Sequence, residues 1–119
     1  MTRPDQTGRD GALADPGADD MDRMAQNARA AAAFLKTIGH EGRLMILCHL
    51  VGGEKSVTEL ESLLSARQAA VSQQLSRLRA EGLVTPRRDG KTIYYRLADD
   101  RPSRVITLLH ELFCARDQG

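Results

Sequence analysis

Apolar residues keep a helical spacing as far as Gly82, alternate with polar ones from there to Leu97, and return to a helical spacing after Pro102. A period near 3.6 marks an amphipathic helix and a period of 2 a half-buried strand. The chain must therefore combine several helices with a single pair of strands. Upstream, an alanine-rich stretch from about Met21 to Thr37 sets Ala32, Phe34 and Leu35 on a helical pattern, with Gly39 as terminator. From His40 to Val51, Leu44, Leu47, Cys48 and Val51 recur at helical intervals before Gly52-Gly53 stops the run. Ser56 stands three residues before Glu59, the spacing of a capping box, and Val57, Leu60, Leu63 and Leu64 give a short helix ending near Ser65.

Residues 67 to 81 form a fourth helix, closed by Gly82, with Val71, Leu75 and Leu78 inward and Ala69, Gln73, Ser76 and Arg77 outward. Leu83 to Arg88 and Lys91 to Leu97 flank Asp89-Gly90, a dipeptide suited to a type I′ turn, and predict a β-hairpin with a charged tip. Pro102 suits the start of a last helix ending near Ala115, whose stripe of Val105, Leu108, Leu109 and Leu112 must bury against something. The expected fold is mainly α with a small β-hairpin, in the order α-α-α-α-β-β-α.

One domain over residues 21–117 suits a chain of 119 residues that is 41% hydrophobic. Residues 1–20, rich in Gly, Asp, Pro and Ala and without an apolar period, are expected to be a flexible acidic tail. The absence of an apolar run long enough for a bilayer and of a secretory leader predicts a cytoplasmic protein with no membrane partner. The net charge of +1 conceals a division, because residues 1–22 carry −4 and the remainder +5. Within residues 67–96, Arg67, Arg77, Arg79, Arg87, Arg88, Lys91 and Arg96 face only Glu81 and Asp89, a local excess of +5 that fits a polyanion partner.

Two short helices joined by a turn, the second presenting Gln, Ser and Arg outward and followed by a basic hairpin, describe a winged helix-turn-helix. Gln68 or Gln73 can pair bidentately with adenine, Arg77 can take guanine or a phosphate, and Ser72 and Ser76 suit phosphate or base contact. Arg87, Arg88 and Lys91 at the hairpin can neutralise phosphates or enter the minor groove. A solvated helix face would explain each element singly, but the concentration of charge on two neighbouring elements favours double-stranded DNA. The first and last helices are not needed to build this reading head and are expected to form a homodimer, which would read a palindromic operator.

Four segments then acquire a common meaning: His40-Glu41-Gly42-Arg43-Leu44-Met45-Ile46-Leu47, Ser56-Val57-Thr58-Glu59-Leu60, residues 68–78 from Gln68 to Leu78, and Arg88-Asp89-Gly90-Lys91-Thr92-Ile93-Tyr94-Tyr95. Together they resemble the signatures of ArsR/SmtB-type repressors over about residues 30–116. The resemblance implies a homodimeric winged-helix repressor that leaves its operator when an inducer binds. It also supplies a test for metal sensing. The arsenic and cadmium sensors use a Cys-Val-Cys pattern where this chain has Ser56-Val57-Thr58. The zinc-sensing members need an Asp and a His early in the last helix and a His pair near its end, where this chain has His110 alone.

A non-standard zinc site from His110, Cys114, and Cys48 or His49 stays open, although adjacent residues on a helix point about 100° apart. His40 and His49 otherwise read as helix-terminus or surface residues, and no metal or cofactor is assigned. Cys48 and Cys114, 66 residues apart, resemble instead the thiol pair of the persulfide- and polysulfide-responsive subgroup, the SqrR and BigR type. Arg43 to Leu50 around the first thiol and Phe113-Cys114 around the second share that likeness. The resemblance implies that a low-molecular-weight persulfide or polysulfide is the inducer and that a disulfide or polysulfide bridge forms. Cys48 lies in an apolar stripe and Cys114 off one, so Cys114 is expected to be the first nucleophile. Buried inert thiols, a peroxide sensor, a zinc-responsive repressor and a constitutive DNA-binding protein remain as alternatives. An enzyme is not expected, because no phosphate loop, paired catalytic carboxylates or nucleophile motif is present.

Overall fold

A computed structural model describes residues 17–114 of the chain. Most of the tail expected over residues 1–20, and the domain end at 117, lie outside that range. The helices are α1 (Ala18–Ile38), α2 (Glu41–Val51), α3 (Val57–Leu64), α4 (Gln68–Ala80) and α5 (Arg101–Phe113). The strands are β1 (Lys55–Ser56), β2 (Val84–Asp89) and β3 (Thr92–Leu97). The expected order of five helices and a hairpin is observed, with α1 starting at Ala18 rather than near Met21.

Local chemistry accounts for the helix ends. His40 caps α2, its Nδ1 accepting from the backbone N–H groups of Gly42 at 3.1 Å and Arg43 at 3.4 Å. This makes His40 a helix-terminus residue, as the sequence suggests. The capping box of α3 is complete: Ser56 Oγ accepts from Glu59 N at 3.0 Å, and Glu59 Oε1 accepts from Ser56 N at 2.7 Å. Asp99 Oδ1 accepts from Arg101 N at 2.9 Å at the start of α5.

Two features depart from the sequence reading. Lys55 and Ser56 pair with Tyr95 and Tyr94, so the hairpin is part of a three-stranded antiparallel sheet in the order β1-β3-β2. The hairpin register pairs Asp89 with Thr92, which makes Gly90 and Lys91 the turn residues in place of Asp89-Gly90. A type I′ turn needs positive φ at both central residues, whereas here Gly90 has φ 64° and Lys91 does not share it. Glycine at the first central position is the type II′ pattern, and β2, at six residues, runs one position later than expected, from Val84 to Asp89.

The core is formed by Ile38, Ile46, Leu47, Leu50, Leu60, Val71, Leu75, Leu78, Leu83 and Val84. The inward stripe expected for α4 is buried in full. On α2 the buried face is Ile46, Leu47 and Leu50, not the Leu44, Leu47, Cys48, Val51 stripe. Leu44 and Cys48 are half-buried and Val51 is exposed, because α5 covers only part of that side. On α5, Val105, Ile106 and Leu109 are half-buried, while Leu108, Leu112 and Phe113 remain exposed. Of the described residues, 17–33 fall in a unit of their own, in which α1 exposes Met21 and Met24.

Candidate nucleic-acid interface and thiol pair

The burial of Val71, Leu75 and Leu78 against the core fixes the rotation of α4 about its axis and so decides which residues point away. Gln68, Ser72, Gln73, Ser76 and Arg77 are all exposed, as are Arg87, Arg88 and Lys91 on the hairpin. Helix and hairpin come together around a hollow of about 240 Å³ lined by Gln68 and Ser72 of α4, Thr58 of α3, and Lys91, Thr92 and Tyr95. The hollow places hydroxyl and amide groups of the helix beside a cation of the wing. Thr58 and Thr92 were missed by the sequence reading, because neither stands out until the turn register and the approach of α3 are known.

The basic residues are not equivalent. Arg87 is held by Glu54, donating from Nε at 2.9 Å and from a terminal nitrogen at 2.7 Å, and lies 4.8 Å from the centre of the Tyr94 ring. The guanidinium holds the Glu54 carboxyl below the usual carboxylate range. Arg87 thus ties β2 to the residue before β1 and β3, bracing the wing. Arg77 reaches Glu81 at 3.9 Å, a loose pair one turn away. Among the described residues neither Arg88 nor Lys91 is in an ion pair.

One cysteine stands on α2 and the other at the C-terminal end of α5. Both are free thiols, Cys48 half-buried and Cys114 exposed. They open into one groove of about 460 Å³ whose other walls are Leu44, Met45, Val51, Ile106, Leu109, His110 and Phe113. Burial pushes the Cys48 thiol pKa up, and a negative charge on Cys114 pushes it further in the same direction. His110, one turn before Cys114, shares the groove, whereas His49 does not line it. Of the adjacent Cys48 and His49 only Cys48 lines the groove, in keeping with the 100° between neighbours on a helix, and the apolar wall of Met45, Val51 and Phe113 is not announced by the sequence.

The chain is similar in sequence and fold to known proteins. Residues 40–85 match the profile described as bacterial regulatory protein, arsR family. The chain is 47% identical over 96 residues to the biofilm growth-associated repressor of Agrobacterium fabrum, covering 81% of this chain and 82% of that protein. The crystal structure of the transcriptional repressor BigR from Xylella fastidiosa superposes with a TM-score of 0.75 at 41% identity, covering 79% of this chain and 96% of that one. Reduced HlyU from Vibrio cholerae N16961 superposes with a TM-score of 0.73 at 42% identity, covering 77% and 97%.

Proposed function

The chain belongs to the arsR family of bacterial regulatory proteins, DNA-binding winged helix-turn-helix regulators and not enzymes, and from that premise we propose that it is a homodimeric repressor released from its operator by reactive sulfur species. The observation that carries the reading is the pair of free thiols, Cys48 and Cys114, facing one apolar groove between α2 and α5. The names of the similar repressors support the direction of control.

In this reading α4 enters the major groove, with Gln68, Ser72, Gln73, Ser76 and Arg77 contacting bases and phosphates, while Arg88 and Lys91, on a wing braced by Arg87, neutralise the backbone. Two copies place two such heads on the half-sites of a palindromic operator. The exposed Cys114 sulfur takes the sulfane sulfur of a persulfide, and the donor leaves as its thiol. Attack by Cys48 on the Cys114 sulfur then expels hydrogen sulfide and closes a disulfide. If a second donor first extends the Cys114 persulfide, releasing hydrogen sulfide, attack by Cys48 expels the donor's thiol and leaves one sulfur inserted in the bridge. Either bridge ties α2 to α5 and alters the helices that set the reading heads. A coupling of about 1 to 3 kcal/mol lowers operator affinity roughly 5- to 150-fold, enough to derepress genes of sulfide handling.

The test is operator binding by the reduced protein before and after glutathione persulfide, with intact mass measured in parallel. Lost binding together with a bridged mass, absent in Cys48→Ser and Cys114→Ser, supports the proposal. Unchanged affinity despite a formed bridge sinks it. Release by peroxide alone, with a plain disulfide, makes the protein a general thiol-oxidation sensor, and release by zinc with both thiols reduced makes it a metal sensor.

A further inference from the structure

Arg43, on α2, bonds both to the end of α1 and to the reading helix α4. Its Nε donates to the Thr37 carbonyl oxygen at 2.7 Å, and a terminal nitrogen donates to Gln74 Oε1 at 3.2 Å. Thr37 lies in the last turn of α1, where carbonyls lack partners within the helix, so the guanidinium caps that end. Gln74 lies mid-way along α4 between the exposed, outward Gln73 and the buried Leu75, and is itself half-buried. A Cβ at Gly42 would press on the His40 ring at 3.2 Å but would stand at an ordinary contact distance of 3.7 Å from Gln74 Nε2.

The junction is not fully satisfied: Thr37 is buried and its hydroxyl has no hydrogen-bond partner among the described residues. A buried orphan hydroxyl costs free energy that a small rearrangement of the same groups can recover. Five positions further along α2, Cys48 faces the thiol groove. Helix α2 thus carries a thiol near one end and a two-armed clamp near the other.

We propose that Arg43 and Gln74 are positioning residues that hold α4 in its reading orientation and carry the movement of α2, when Cys48 is bridged, to the DNA-binding face. The second half of this statement rests on the thiol-sensing reading above; the first half does not. Arg43 does not line the thiol groove. It acts through the orientation of Gln73, Ser76 and Arg77, which flank Gln74 on the same helix.

Gln74→Met in the full chain removes the acceptor while leaving the Arg43 bond to Thr37, and Gln74→Glu restores an acceptor. Two ratios are measured by fluorescence anisotropy: operator over random-sequence DNA affinity for the reduced protein, and operator affinity before over after bridging with glutathione persulfide. Gln74→Met is expected to lower the first ratio roughly 2- to 10-fold, the worth of one such hydrogen bond, with non-specific binding unchanged. The second ratio should shrink toward 1 while intact mass shows the bridge forming as in the wild type. Gln74→Glu should restore the first ratio, its added charge weakening both DNAs alike. A Gln74→Met protein with both ratios at wild-type values overturns the proposal, and so does a Gln74→Glu protein that behaves as Gln74→Met. If bridging leaves even the wild type on its operator, the sensing reading fails, and the first ratio alone decides whether Arg43 sets the orientation of α4.

Discussion

Cys48 and Cys114 are chemically unlike although both are free. Cys48 is half-buried under α5, and burial together with the charge of its neighbour disfavours its thiolate. The exposed Cys114 is the sulfur that a donor in solution meets first. Ring closure needs Cys48 ionised, and its pKa is raised, so closure is predicted to gain about tenfold per pH unit through and beyond the ordinary thiol value of about 8.5. Stopped-time alkylation and intact mass, scored for persulfidated intermediate against bridged product, give the rate at each pH. The intermediate should accumulate at pH 6 to 7 and vanish at high pH. A closure rate that levels off below pH 8 would place the Cys48 thiol at or under its ordinary value and assign it the first attack instead.

The elements differ in how openly the sequence declares them. The stripe of α4 and the capping box of α3 depend on residues three or four apart, and both are found where the spacing puts them. The wing is a hairpin as expected, yet its turn falls one residue later, because Asp89 can serve equally as a turn residue or a strand end until β3 is paired. Strand β1 is two residues long, too short for any period, and exists only through Tyr94 and Tyr95. The Arg43 to Gln74 and Arg87 to Glu54 contacts join residues more than thirty positions apart, which no local pattern announces. That last pair separates the wing cations into two kinds. Arg88→Ala and Lys91→Ala should each reduce the slope of log affinity against log salt by about 1, uniformly across DNA sequences. Arg87→Ala removes a brace already neutralised by Glu54, so its salt slope should change by less than either while the wing loosens. An Arg87→Ala slope change equal to those of Arg88→Ala and Lys91→Ala would show that Glu54 releases the guanidinium to DNA.

A reading head of one short helix and a wing offers few base contacts, and the molecule carries apolar surface that a second copy would cover. On α5, Leu108 is 51% exposed, Leu112 44% and Phe113 67%, and on α1 Met21 and Met24 are exposed as well. Singly exposed apolar residues are commonplace, but Leu108 and Leu112, four apart and so on one face of α5, with Phe113 beside them, suit an association surface. A two-fold axis through it makes the same face serve both copies. Because the α5 patch begins where Cys114 ends the helix, a bridge from Cys114 to Cys48 acts on the proposed dimer contact as well as on α2. Sedimentation equilibrium should therefore find a dimer in the reduced protein. Leu108→Glu and Leu112→Glu together should give a monomer with unchanged helical circular dichroism, because neither residue belongs to the buried core. That monomer should lose preference for a two-half-site operator over a single half-site, yet keep weak, salt-sensitive binding through the unaltered α4 and wing. A double variant that remains dimeric would move the interface off α5 and remove the route by which Cys114 reaches the second subunit.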